Sequence, residues 1–285
     1  MGQYRISYQK RLLAYLLFGG LFPLLLASAM ILYTADSVYE NTQAKSGRTE
    51  VQRISREIDN LVVNYQRLMN PLLVRGETTS FLRGERAFAE HIYGDLYRIL
   101  AGRSGEMAIY LLSVDGHQVI ATDDLPRDYR LPEHLHWGLL GQAFQRQDWV
   151  LSSADRYEAD RRESVFSMAR AIRQGDELLG FAVVDVRREA LVPLIQRVQD
   201  GTEGQIILTD RYNYVMMDML DHHREGFSSV HAGAEEGASE SLFRDYAHSS
   251  ADTGFTVHLR QRLDSAPLDY LFRLVLMVDA VALSI

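Results

Sequence analysis

Apolar runs stand at both ends of the chain, and between them the pattern changes from helical to strand-like near residue 102. Leu12 to Tyr33, LLAYLLFGGLFPLLLASAMILY, is 22 residues without a charged side chain. At about 1.5 Å per residue it reaches roughly 33 Å, enough for a hydrocarbon core of about 30 Å. Gly19, Gly20 and Pro23 lie inside the run; lipid-embedded helices tolerate them, and Pro23 is the expected kink. From Asp36 to Arg75 apolar residues recur at intervals of three and four: Val51, Ile54, Ile58, Leu61, Val62, Tyr65, Leu68, Met69 and Leu72. This predicts an amphipathic helix continuing from the apolar run, with Pro71 as a kink or an end. Glu85 to Ala101 predicts a second helix on Phe88, Ile92, Leu96 and Ile99, broken at Gly102 to Gly105.

Strand patterns follow. Met107 to Val114, the turn Asp115-Gly116 and His117 to Thr122 read as a hairpin. His136 to Gln145 reads as a short helix, and Trp149 to Ala154 and Glu163 to Arg173 as strands. After the turn Gln174 to Glu177, Leu178 to Val186 is apolar enough for a central strand. Arg188 to Val198 predicts a helix interrupted early by Pro193. A second, shorter hairpin covers Gly204 to Thr209 and Tyr214 to Met219, and Asp221 to Ser241 is composed like a loop. Phe255 to Leu263 alternates as a half-buried strand. The order is α+β with antiparallel sheets, since the strands arrive in hairpins rather than in βαβ units.

The closing run Tyr270 to Ile285, YLFRLVLMVDAVALSI, reads as the start of a second span, although Arg273 and Asp279 are costly in lipid. Arg273 can snorkel to the headgroups, whereas Asp279 would lie deep and mark a helix–helix or functional contact. An amphipathic or buried soluble helix is the alternative. The run has no basic flank after it, so the protein is expected to continue past Ile285. Arg5, Lys10 and Arg11 make the first eleven residues purely basic. That places the N-terminus in the cytoplasm, residues 34–268 outside, and the return near Tyr270. A cleaved signal peptide ending at Ala27-Ser28-Ala29 competes with this reading, but the apolar run continues through Met30 to Tyr33, which favours an uncleaved anchor.

Composition narrows the function. The net charge of −8 is carried by the middle of the chain, because the N-terminal tail is basic. An acidic domain repels nucleic acid and anionic headgroups, and no basic stripe offsets this. The absence of cysteine removes disulfides, thiol catalysis and Cys-type zinc sites. His222-His223 follows Asp218 and Asp221, but no spacing there fixes a metal geometry, and a polar loop is the better reading. His134 and His136, Asp123-Asp124 and the run Asp160 to Glu163 read as solvated surface. No GxGxxG, P-loop or GxSxG is present. No catalytic residue, metal or cofactor is expected.

Three segments, Tyr110–Thr122, Ser164–Ile195 and Gly204–Met217, carry a family resemblance. The strand ending at Arg170, its turn, and the strand Gly180 to Val186 feeding a helix are similar to the central hairpin of the double Cache sensor domain. The likeness covers about residues 34 to 265 and rests on order and pattern. It implies a long N-terminal helix with two PAS-like antiparallel sheets in tandem, flanked by transmembrane helices. The layout becomes a basic tail 1–11, a span 12–33, a sensor domain 34–268 and the start of a span at 270–285. Within the sensor, a membrane-distal unit falls at about 102–199 and a proximal one at about 200–265.

The resemblance further implies a small ligand in the distal unit, held among Tyr110, Trp149, Tyr157, Arg170 and Asp185: an aromatic wall, a guanidinium for a carboxylate or sulfonate, and a carboxylate for an amine or hydroxyl. Plain core packing for Trp149, an Arg170–Asp185 pair, and a surface position for Tyr157 are the alternatives. Amino-acid-binding members show an Arg-x-Trp-Tyr element. Here Arg146-Gln147-Asp148-Trp149-Val150 has another spacing and no Tyr, which argues against an amino-acid ligand. The resemblance implies the sensor part of a membrane histidine kinase, with a chemoreceptor or a secreted or surface solute-binding protein as alternatives. It would lie in the plasma (inner) membrane as a homodimer through the apolar stripe of the stalk helix.

Overall fold

The computed structural model describes residues 15, 17–153, 164–199, 204–221, 225–226, 243–262, 270, 272–273 and 275–277. The chain divides into two compact units, residues 1–47 with 262–285, and residues 48–261.

In the first unit a wide π-helical turn, Leu17–Leu21, precedes the long helix α1, Phe22–Leu73. Pro23 lies in the first turn of α1, where its missing N–H costs least. The irregularity therefore falls on Gly19 and Gly20 rather than on the proline, since Pro23 has no N–H to offer the carbonyl four residues back. The stretch Phe18–Leu73 contains a window of mean hydropathy 1.7, none of it buried, and meets the length and apolarity of a membrane span. Its hydroxyls turn back on their own helix: Thr34 donates to the Met30 carbonyl at 2.7 Å and Thr42 to that of Val38 at 2.8 Å. Tyr270, Phe272, Arg273 and residues 275–277 are helical, while Asp279 lies outside the described residues.

In the second unit the remainder of α1 buries Val51, Ile54, Ile58, Val62, Tyr65, Met69 and Leu72, the stripe the spacing predicts. The helix ends at Leu73, two residues past Pro71. The carbonyl Pro71 leaves without a helical partner belongs to Arg67, on the exposed side, where it is open to water. Thr78 donates its hydroxyl to the Leu72 carbonyl at 2.7 Å, satisfying one of the acceptors at the helix end. A short helix α2, Gly76–Leu82, follows; a 3-10 turn, Arg86–Phe88, then leads into α3, Ala89–Leu100.

The strands form two sheets. The first holds β1 (Met107–Ser113), β2 (Val119–Ala121), β3 (Val150–Ser153), β4 (Ser164–Gln174) and β5 (Glu177–Arg187) in the order β2-β1-β5-β4-β3. Each of its pairings is antiparallel. The β1–β2 turn needs its glycine: Gly116 has φ +73°, and a Cβ there would meet the Leu131 carbonyl oxygen at 2.0 Å. β4 and β5 are buried on both faces, as their unbroken apolar character predicts. Helix α4 (Gly138–Gln145) covers one face, where Leu139, Leu140 and Ala143 join Tyr110, Ala169, Phe181 and Val183 in one apolar cluster.

Helix α5, Arg188–Val198, runs through Pro193 unbroken, against expectation. Glu189, whose carbonyl loses its partner, is exposed and open to water. The second sheet has the order β7-β6-β9-β8, from β6 (Gly204–Thr209), β7 (Val215–Asp218), β8 (Phe243–Ser249) and β9 (Thr256–Arg262). Strand β8 has no counterpart in the sequence reading: of FRDYAHS only Tyr246 is buried, so no alternation marks it. Most of the predicted loop Asp221 to Ser241 lies outside the described residues. The sheets touch through Phe166 and Phe255, ring centroids 5.1 Å apart, and through a bond from Ser153 Oγ to Asp210 Oδ2 at 3.0 Å.

Candidate ligand site

Strand register sorts the predicted site residues onto two faces of the five-stranded sheet. Tyr110 stands opposite Val183 and Ala108 opposite Asp185, so Tyr110 and Asp185 point to the same side. Ser167 pairs with Asp185 across β4–β5 and shares that side. Arg170, opposite Ala182, points to the other side, as does Trp149, since its neighbour Val150 belongs to the α4-covered cluster. No Arg170–Asp185 pair forms. Tyr157 lies outside the described residues.

On the α4-covered side a buried polar cluster forms around Asp185, which is 4% exposed. Its Oδ1 accepts the Tyr129 hydroxyl at 2.5 Å and the Ser167 hydroxyl at 2.6 Å, and the two hydroxyl oxygens lie 3.0 Å apart. Tyr110 packs edge-on against Tyr129 with centroids 5.4 Å apart. Tyr110 and Asp185 are thus brought together through a residue the sequence did not offer. Tyr129 ends a 3-10 turn, Arg127–Tyr129, in a polar stretch without periodicity. Ser167 sits between Phe166 and Met168 in a strand buried on both faces, so alternation could not single it out. Hydroxyl donors suit this carboxylate because each rotates about a single bond and can exchange one acceptor for another.

On the opposite side Asn70 of α1 joins Trp149 and Arg170. Its Oδ1 accepts the indole Nε1–H at 3.0 Å and an Arg170 N–H at 2.8 Å. Five residues earlier on the same helix, Tyr65 donates its hydroxyl to Glu106 Oε2 at 3.1 Å. Burial, reinforced by the Glu106 charge, raises the Tyr65 phenol pKa well above its ordinary value, so it stays a donor. Asp59, also on α1, accepts from Ser250 Oγ at 2.8 Å and Thr253 Oγ1 at 3.0 Å in the β8–β9 turn. The long helix therefore holds side chains from both sheets. The signal for Asn70 was a polar residue beside Met69 within a largely apolar helical phase.

The four-stranded sheet carries its own buried carboxylate, Asp218, which is 0% exposed. Gln205 Nε2 donates to both its oxygens, at 3.0 and 2.7 Å, and the backbone N–H groups of Leu220 and Asp221 donate to Oδ1 at 2.9 and 3.1 Å. Glu225 accepts the Asp218 N–H at 3.0 Å and an Arg188 N–H at 2.6 Å. Among the described residues no group of three or more His, Asp or Glu side chains is placed to hold a metal, and His222-His223 lie outside them.

No family model matches the sequence, and no curated protein matches it. Solved structures do. The sensory domain of the Campylobacter jejuni chemoreceptor Tlp3 with isoleucine bound is 14% identical, with a TM-score of 0.54 over 83% of this chain and 97% of that one. The ligand-binding domain of the Pseudomonas fluorescens chemoreceptor CtaA in complex with L-valine is 14% identical, with a TM-score of 0.56 over 79% and 98%. That of the Pseudomonas aeruginosa amino acid chemoreceptor PctC in complex with GABA is 15% identical, with a TM-score of 0.50 over 78% and 99%. The shared feature is the fold: a long N-terminal helix followed by two antiparallel sheets, the double Cache arrangement expected from the sequence.

Proposed function

We propose that this chain is the extracytoplasmic small-ligand sensor of a transmembrane signalling receptor. The observation that carries the reading is the shared fold with three ligand-binding domains over about four-fifths of the chain. The layout follows the sequence: a cytoplasmic tail 1–11, a span 12–33, a sensor 34–268 and a second span from 270, in the plasma (inner) membrane. The ligand sits on the α4-covered side of the five-stranded sheet, the distal unit. It takes over the hydroxyls of Tyr129 and Ser167 or the carboxylate of Asp185, against Tyr110.

Trp149 and Arg170 then act on the other face. They pass displacement of β3 and β4 to α1 through Asn70. The ligand class is a small molecule bearing an ammonium group, which the Asp185 carboxylate favours. The neighbours are named in complex with isoleucine, L-valine and GABA, each an amine. The departure at Arg146 to Val150 turns the reading toward amines whose carboxylate, if any, is not read by that element. Two outputs fit such a sensor, a chemoreceptor and a membrane histidine kinase. The neighbours support the first, and methyl-accepting helices or a kinase core in the same gene would decide. A homodimer through α1 belongs to the same reading.

Thermal unfolding of the full chain in detergent, screened against amino acids, organic acids, amines, sugars and purines, tests the site. An amine should raise Tm with concentration, and Asp185→Ala should abolish the rise. Arg170→Ala should leave binding but change the response. No rise from any class, with the chain folded by circular dichroism, overturns the small-ligand reading. Topology is tested separately. The chain has no cysteine, so Trp137→Cys, at a position 73% exposed, should react with an impermeant maleimide in intact cells, while Gln3→Cys should not.

A further inference from the structure

A second recess lies away from the Asp185 cluster, where the turn after α3 meets the ends of β1, β2 and β5. It is a half-open cleft of about 360 Å³, within the range of small-ligand sites. One wall is apolar, from Leu100 and Met107, with the exposed ring of Tyr97 at the mouth. The other wall is an ion pair between Arg187 and Asp123. Ser104 lines the cleft from the turn. Within that turn Gly102 has φ +78°, and nothing lies within 4 Å of where its Cβ would stand.

The charged wall decides the chemistry. Its guanidinium and carboxylate belong to different strands' ends, and their side chains are 20% and 45% exposed. An ion pair this open to water is weak, so separating its partners costs little. Each partner would regain a counter-charge from a molecule carrying both signs. Such a molecule offers a carboxylate to Arg187, two-pronged where the fork permits, and an ammonium to Asp123. Its apolar body then lies on Leu100 and Met107. A molecule with one charge satisfies one partner and strands the other.

We propose that this cleft is a binding site for a small zwitterion with an aliphatic body, inserted between Arg187 and Asp123. The site is also tied to the long helix. The backbone N–H of Arg187 donates to the Glu106 carbonyl at 2.8 Å, and the Glu106 carboxylate accepts the Tyr65 hydroxyl of α1. Parting the ion pair moves the end of β5, and the turn carrying Glu106 follows. This inference does not rest on the ligand assigned to the Asp185 side.

The test follows the Met107 methyl signal in the full chain in detergent, with ¹³C-methyl methionine assigned by Met107→Leu. L-Leucine is the probe, and 4-methylpentanoate and 3-methylbutylamine are its singly charged halves. Leucine should shift the signal saturably below about 10 mM, a weak-site ceiling, and each half should bind at least about tenfold more weakly. Arg187→Ala and Asp123→Ala should each cost about tenfold or more. Ser104→Trp, which keeps the ion pair and changes an exposed residue, should block the shift with Tm unchanged. In Asp185→Ala the shift should persist, separating this cleft from the other side of the sheet. An immobile Met107 signal, halves that bind as well as leucine, or full affinity in Arg187→Ala would each overturn the proposal.

Discussion

Both sheets bury aspartate carboxylates, and they satisfy them by opposite means. Asp218, in the four-stranded sheet, is held by an amide and by two backbone N–H groups whose directions the chain fixes. Asp210, just after β6, is held likewise, by the N–H groups of Tyr212 and Tyr214 at 2.8 and 2.9 Å. Asp185, in the five-stranded sheet, accepts two hydroxyls whose oxygens lie 3.0 Å apart, close enough to bond each other when the carboxylate is taken. A backbone donor deprived of its acceptor stays orphaned, whereas two hydroxyls deprived of theirs still have one another. The first arrangement builds a turn; the second can open to admit a newcomer. A buried carboxylate alone says nothing of function until its donors are named.

The largest expected effect lies in removing the two carboxylates in turn. Asp218→Ala strands three donors and should cost about 3 kcal/mol or more in urea unfolding, while Asp185→Ala should cost about 1–2. Equal losses would break the contrast. Next, Asn70→Ala removes the shared acceptor of a half-buried indole and a guanidinium, for an expected loss of about 1.5 kcal/mol. Asn70→Asp should recover most of it, because a carboxylate accepts both donors. Tyr129→Phe sharpens the picture further. Ser167 still bonds Asp185, so the loss should stay near 1 kcal/mol, and an amine ligand should bind more weakly. A loss as large as that of Asp218→Ala would make Tyr129 as fixed as a backbone donor.

The smallest effect is pH-dependent and belongs to the four-stranded sheet. Burial lowers the His258 pKa below its usual 6.5, with the Asp245 charge opposing, while Thr209 Oγ1 lies 3.1 Å from Nε2. A lowered folded-state value means the unfolded chain takes the proton first. His258 therefore contributes stability above about pH 6.5 that fades as pH falls through the lowered value. Unfolding midpoints of wild type and His258→Gln should converge on acidification, and parallel profiles would remove His258 from the pH response.

Much of the fold is legible in the sequence because periodicity reports burial. The stripe from Val51 to Leu72, the Asp115-Gly116 turn and the apolar strand from Leu178 to Val186 each advertise one face or two. Where burial is not periodic, the reading fails. Strand β8 exposes most of its residues, and α5 passes through Pro193 because the orphaned carbonyl reaches water. The site is half legible. Tyr110 and Asp185 share a face by register, but Trp149 and Arg170 turn to the other, and only the pairing of β4 with β5 reveals this. Tyr129 and Asn70 matter through contacts 56 and 100 residues away in sequence, a separation that no local pattern encodes.

Helix α1 is a spacer of fixed length as well as a scaffold. Asp59 grips the β8–β9 turn and Asn70 grips β3 and β4, eleven positions apart. Eleven residues at about 100° each close three turns to within roughly 20°, so the two grips share a side of the helix. Inserting or deleting a single residue between them swings one grip by about 100°, out of reach of its sheet. The letters between Asp59 and Asn70 matter less to the two grips than their number, which works as the tooth count of a gear does, set by what it meshes with on either side.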